Sequence, residues 1–232
     1  MTLTGTNIAF AGLTAAGKTT HARLLAEHLG YEHVSATDII LDIVGVKARD
    51  PQRVWFDHMQ EIEQARAGDE VDKELERRLL HLAATKDGLV LDTWAMAWIC
   101  PAPLVRIWID SDRLSRHWKC YVSQGESPKL TLSECVSLID QKDMATRESF
   151  LRRHNFDLFS DHDVFDAVLT NTHLIEAPTK FATQKGIRAF DPVVRLITEH
   201  LLGRASAAEV EETLGKVGQL QAGAVLRLRT TK

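Results

Sequence analysis

The chain has 232 residues, enough for one large α/β domain with a small appendage, and its 44% hydrophobic and 26% charged residues exclude wholesale disorder. A net charge of -4 argues against a polyanion binder, so no nucleic-acid partner is expected. Three irregularly spaced cysteines exclude a disulfide framework or zinc site, the N-terminus lacks the sections of a signal peptide, and Pro101, Pro103 and Arg106 break the most apolar later stretch; a cytoplasmic protein without a membrane span is expected.

Asn7-Ile8-Ala9-Phe10-Ala11 reads as a central parallel strand. It runs into Gly12-Leu13-Thr14-Ala15-Ala16-Gly17-Lys18-Thr19, which fits G-x-x-x-x-G-K-[ST] at every specified position. Ala22, Leu24, Leu25 and Leu29 then fall at helical spacing, and Gly30 ends the helix. Strand, loop and helix together make a phosphate-binding loop. Its backbone N–H groups and the helix N-terminus, with Thr20 in the first turn, would hold the polyphosphate of ATP. Lys18 would reach the β- and γ-phosphates, and the Thr19 hydroxyl would ligate Mg²⁺.

Tyr31–Ser35 reads as a second strand, and Ser35 or Thr37 as the cap of a short helix that brings Asp38 to the strand ends, where open α/β sheets hold ligands. Asp38 is thus a candidate toward the phosphate acceptor, its alternative role being to favour the helix dipole. Residues 45–70, with Val54, Trp55, His58, Met59 and Ile62 near helical spacing, read as a flap over the acceptor, with Arg49, Arg53 and Arg66 as candidate anion contacts. Glu70–Thr85 is an amphipathic helix with Val71, Leu75, Leu79 and Leu82 inward. Gly88–Asp92 is a buried strand ending in a carboxylate, and Asp92 is the candidate for the metal or the attacking group.

Leu104–Asp110 is the next strand, and in Asp110-Ser111-Asp112 a helix cap explains the acids better than a metal does. Two basic helices follow, divided at Gly125–Lys129, with Arg116, Lys119, Lys142, Arg147, Arg152 and Arg153. Such a hairpin, about 112–154, reads as a lid whose Arg116 and Arg147 would stabilise the transferring phosphoryl group and whose Arg152 and Arg153 would meet the acceptor. The alternative for each arginine is a pair with a neighbour such as Asp143, Glu148 or Asp157. Phe165–Thr172 is the last strand of the core, and Pro192 would open a terminal helix ending at Gly203. Residues 204–232, a short helix and the alternating Ala224–Thr230, read as an appendage after a domain of residues 1–203, and neither its role nor an oligomeric state follows from the sequence.

In their order and spacing, the P-loop, Val34-Ser35-Ala36-Thr37-Asp38, the strand ending in Asp92, Ala97-Trp98-Ile99, Arg106–Asp110, Arg147-Glu148 and Phe165–Leu169 resemble the cytidylate kinases, most closely their short archaeal-type branch, over about residues 5 to 202. The resemblance implies a P-loop kinase of three α/β/α layers: a five-stranded parallel sheet, ATP and Mg²⁺ on the P-loop, an acceptor region after the second strand and an arginine-bearing lid. Departures fall on the acceptor side. Leu41 stands where that family usually has arginine, Thr93-Trp94 where it has Gly-Arg, and Lys119 where the lid has the second of two arginines. An arginine that grips a phosphate bidentately is not replaced by Leu or Trp without loss.

The expected activity is therefore ATP- and Mg²⁺-dependent phosphoryl transfer to a small molecule. The first reading of the acceptor is a cytidylate-like or modified pyrimidine nucleotide held by Arg49 or Arg53. The second is a hydroxyl of a nucleoside, sugar or natural product, with Asp38 or Asp92 as base and Trp94 as an apolar wall. The rival of another class is a nucleotide-dependent switch, against which stand the lid cations and the lack of an N-K-x-D guanine motif.

Overall fold

The computed structural model describes residues 5–47, 59–66, 68–126, 128–216, 218, 221 and 223–229. Its centre is strand β1 (Asn7–Ala11), buried at every position. Ile8 and Phe10 point into one core and Ala9 and Ala11 into the other, because successive strand side chains alternate between faces. β1 pairs in parallel with β3 (Leu89–Asp92) on one side and β4 (Leu104–Asp110) on the other. β2 (Glu32–Ser35) extends the first side and β5 (Ala167–Thr170) the second.

The five expected parallel strands stand in the order β2-β3-β1-β4-β5, and a sixth strand is added beyond β5. The sixth, β6 (Val225–Leu228), runs antiparallel to β5 and comes from the segment expected to be an appendage. Ala224 and, on helix α9 (Ala207–Lys216), Val210 are buried in the same core as β1, α1 (Lys18–Leu29) and α8 (Lys180–Leu201). Apolar burial thus continues past residue 203.

The opposite face is covered by α2 (Ala36–Val44), α3 (Met59–Arg66), α4 (Glu70–Thr85) and α5 (Met96–Ile99). α2 starts where Ser35 accepts a hydrogen bond from Asp38 N at 3.3 Å, and α4 buries Leu75, Leu79 and Ala83 in one stripe. Of the expected flap, Ile62 is fully buried and Arg66 is placed, whereas Arg49, Arg53, Val54, Trp55 and His58 lie outside the described residues.

The two basic helices expected to make a lid are α6 (Arg113–Ser123) and α7 (Leu132–His154). Asp112 caps α6 through Ser115 N at 2.9 Å, and Thr131 with Glu134 forms a capping box on α7. Gln124, 1% exposed, fastens the connection by accepting Lys129 N and Leu130 N at 3.0 and 2.8 Å. Just past the end of α7, Phe156 stacks on Trp98 at 4.4 Å with their planes 4° apart and ties that end to the helix Met96–Ile99. α8 begins twelve residues before the expected start at Pro192, with Thr179 accepting Ala182 N at 3.1 Å as its cap. The packing of Ala182, Gly186, Phe190, Val193 and Ile197 keeps the helix running through the proline, overriding the local preference.

Candidate active site

In a parallel sheet all strands end on one edge, and the three that matter end together. Phe10 of β1 and Ser35 of β2 are both in register with Asp92 of β3, so the loop after Ala11, the start of α2 and the carboxylate share one edge. A cleft of about 1170 Å³ opens there.

The loop between β1 and α1 has the backbone of a phosphate cradle. Gly12 has φ +152°, and a Cβ there would lie 2.4 Å from the Ile109 carbonyl oxygen of β4. Only glycine lets β1 turn that close to its neighbour. Ala15 adopts a left-handed φ of 59°, rare for a residue with a Cβ, and Gly17 opens α1 at φ 102° without a side-chain cap and with no acid in the first turn. The N–H groups at the head of α1 are therefore free of competing side-chain acceptors.

Lys18 is 9% exposed, donates to Leu13 O at 3.0 Å and lies 5.2 Å over the Trp94 ring. Burial lowers its pKa to about 8 against the pull of Asp92 and Asp143. Thr19 donates to Asp92 Oδ2 at 2.5 Å, and His33 Nε2 is 4.0 Å from the same oxygen. Burial also lowers the pKa of His33, so near neutrality it is mostly uncharged beside Asp92. The other end of the cleft carries Trp94, Phe150 edge-on to it at 6.4 Å, Arg66, Arg153 and the carboxylates of Asp72 and Glu76. Arg66 pairs with Asp72 at 2.8 Å, while Arg153 pairs with Glu76 and lies 3.7 Å from Asp72. Asp38, exposed at the head of α2, also lines the cleft.

The lid cations divide. Arg153, Lys119 and Lys142 line the cleft, but Arg152 is 60% exposed and bonded to Asp69, and Arg147 is held on Asp157 at 2.8 and 2.5 Å; neither of these lines it. Arg116 is buried behind the P-loop, paired with Asp143. Lys119 donates to Ala16 O, Ser111 Oγ and Asn171 Oδ1, and Asn171 donates to Ala16 O at 2.8 Å, so α6 and the end of β5 hold the loop from beneath. The expected placement of Arg116 and Arg147 against a transferring phosphate is not what the structure brings together. The alternative open for each arginine, a pair with a neighbouring carboxylate, is what the structure shows for Arg116 with Asp143 and for Arg147 with Asp157. Asp72, Glu76 and Asn171 are polar residues of this region that motif reading missed, whereas Asp143 was named only as a possible surface partner; Asp72 and Asp143 carried a further signal, since each falls among the inward positions of its helix.

A P-loop with its lysine, a hydroxyl–carboxylate pair beside it and a second aromatic and polar compartment in the same cleft define a phosphotransferase of the P-loop kinase fold. Residues 7–173 match the model of the cytidylate kinase-like family, and the chain belongs to that family. It is 26% identical to a cytidylate kinase of Natronomonas pharaonis over 186 residues, 80% of this chain and 91% of that one, and 25% identical to a cytidylate kinase of Pyrococcus furiosus, over 80% and 90%. Among solved structures, a shikimate kinase of Bacteroides thetaiotaomicron superposes with a TM-score of 0.50 at 15% identity, covering 85% of this chain and 98% of that one, a likeness of fold. The protein is a kinase of a small molecule or nucleotide, and the reading as a switch falls away. No described helix is long and apolar enough to cross a membrane.

Proposed function

We propose that the protein transfers the γ-phosphoryl group of ATP, with Mg²⁺, to a nucleoside monophosphate of the cytidylate type. One observation carries this reading: Lys18 and the Thr19–Asp92 pair face the same cleft as Trp94, Phe150, Arg66 and Arg153. The P-loop backbone would hold the donor phosphates and Lys18 would bridge the β- and γ-phosphates, drawing its proton more firmly as it meets them. Thr19 and Asp92 fit Mg²⁺, being two hard oxygen donors already converged at 2.5 Å. Among the described residues no group of three His, Cys, Asp or Glu side chains gathers. Mg²⁺ usually keeps waters and phosphate oxygens as its other ligands. The ion would neutralise charge developing on the phosphates. Trp94 and Phe150 would flank the acceptor, with Arg153 and Arg66 donating to it and Asp72 and Glu76 accepting. Binding of both substrates in one cleft would supply most of the acceleration through alignment and charge stabilisation.

A second reading, a hydroxyl acceptor, is favoured by the pairing of Arg66 and Arg153 with Asp72 and Glu76, which leaves that wall less cationic than a phosphate site usually is. Asp38 or Asp92 would then orient the hydroxyl. ADP release measured on each nucleoside monophosphate beside its unphosphorylated nucleoside, with Lys18→Ala as control, separates the two. Control-sensitive turnover of CMP or a close relative supports the first reading; turnover of nucleosides alone replaces it with the second.

A further inference from the structure

The buried stripe of α7 runs Cys135, Ile139, Asp143, Thr146, Phe150 at helical spacing. An acid 3% exposed in such a stripe is costly unless it is both paired and hydrogen-bonded. Asp143 is both. Its Oδ1 accepts the backbone N–H of Thr14 at 2.9 Å, and its Oδ2 accepts Arg116 Nη1 at 2.5 Å. The same Nη1 donates to the carbonyl oxygen of Thr14 at 3.1 Å. Both main-chain polar groups of one P-loop residue are thus gripped by one buried ion pair, whose halves come from the two lid helices.

The grip falls at a strained place. Ala15, the next residue, has the left-handed φ of 59°, a conformation that is unfavourable for a residue with a Cβ and persists where neighbours over-determine it. Neither Arg116 nor Asp143 lines the cleft, so neither is placed to touch substrate. We infer that Asp143 and Arg116 are a positioning pair for the donor half of the reaction, holding the Thr14–Ala15 turn in the shape from which the following N–H groups converge on phosphate. The inference rests on the assignment of ATP to the P-loop. It gives these lid residues a role in shaping the loop, in place of contact with the phosphoryl group.

The test is steady-state kinetics and calorimetric ATP binding for wild type, Asp143→Asn, Arg116→Gln and the double variant, with a melting curve for each. Each single variant is expected to raise the ATP KM and Kd at least about tenfold, the loss of one hydrogen bond's worth of affinity, while the acceptor KM stays within about twofold. The double variant is expected to be no worse than the worse single one, because the two side chains act through one loop residue. Should a single variant fail to fold with half of a buried pair left behind, the double, which buries two neutral amides, gives the reading. An ATP KM that is unchanged or lower, equal rises for ATP and acceptor, or additive single effects would overturn the proposal. Wild type that fails to bind ATP would instead remove the donor assignment itself, a result separate from any variant.

Discussion

Replacing Lys18 by Met should abolish phosphoryl transfer and at the same time stabilise the nucleotide-free protein near neutral pH. Burial lowers this lysine from 10.5 to about 8, which disfavours its charged form in the fold by about 3 kcal/mol. The unfolded chain holds the proton up to the higher value and the folded chain only to the lower one. Stability contributed by this group is therefore least below about pH 8 and rises through the window between the two values, by about 1.4 kcal/mol per pH unit. Methionine keeps the stem and removes the charge, but leaves Leu13 O without its donor, at a cost of about 1 kcal/mol. The balance is a gain of about 2 kcal/mol near pH 7, or a Tm higher by roughly 4–8 °C in a chain of this size. As pH rises the wild type recovers stability and the variant does not, so the advantage should shrink above about pH 8 and vanish near about pH 10. Calorimetric melting of both proteins in EDTA, without nucleotide, at several pH values reads this directly. A variant less stable than wild type at neutral pH, or an advantage that does not change with pH, would refute the reasoning. Saturating ATP should reverse the order, because bound phosphate favours the charged lysine of the wild type alone.

Gly12→Ala should fold but bind ATP at least about a hundredfold more weakly by calorimetry, since its Cβ would meet Ile109 O at 2.4 Å and the loop must leave β4. Asp92→Asn should lower kcat by at least about a hundredfold and raise the Mg²⁺ concentration needed for half-maximal rate, with the acceptor KM little changed, as a magnesium titration of the rate would show. Arg153→Met should raise the acceptor KM at least about tenfold and Arg152→Met leave it within about twofold, because the first lines the cleft and the second is an exposed pair with Asp69.

What was legible in the sequence is what the backbone itself encodes. The P-loop is contiguous, its glycines sit where a left-handed turn or a close approach demands them, and the apolar run before it can only be a strand buried on both faces. In α4 the stripe was legible at its centre: Leu75 and Leu79 are buried as read, while Asp72 and Ala83 are buried beside the only partly buried Val71 and Leu82. The sixth strand was half-legible: Val225–Leu228 alternates as a strand does, but pairing with β5 is a long-range event that leaves no local mark. Pro192 misled for a similar reason. A proline favours a first turn locally, yet Phe190, Val193, Val194 and Ile197 bury enough apolar surface on either side to keep one helix through it.

The acceptor side and the lid were less legible because residue type does not fix the role of an arginine. Arg116, Arg147 and Arg153 look alike in the chain, and each goes where a carboxylate holds it: Asp143 behind the P-loop, Asp157 away from the cleft, Glu76 inside it. Those carboxylates are not interchangeable either. Asp157 is partly exposed, so its pair is worth little to the fold, whereas Asp143 is buried and hydrogen-bonded to main chain, so its pair fixes geometry. The informative pattern is therefore an acid on an apolar stripe, and Asp72 on α4 shows it as Asp143 does on α7. One is bound to Arg66 at the Trp94 end of the cleft and the other to Arg116 behind the P-loop. In this kinase the buried acids mark where arginines are held in place, and the arginines alone do not mark where phosphate goes.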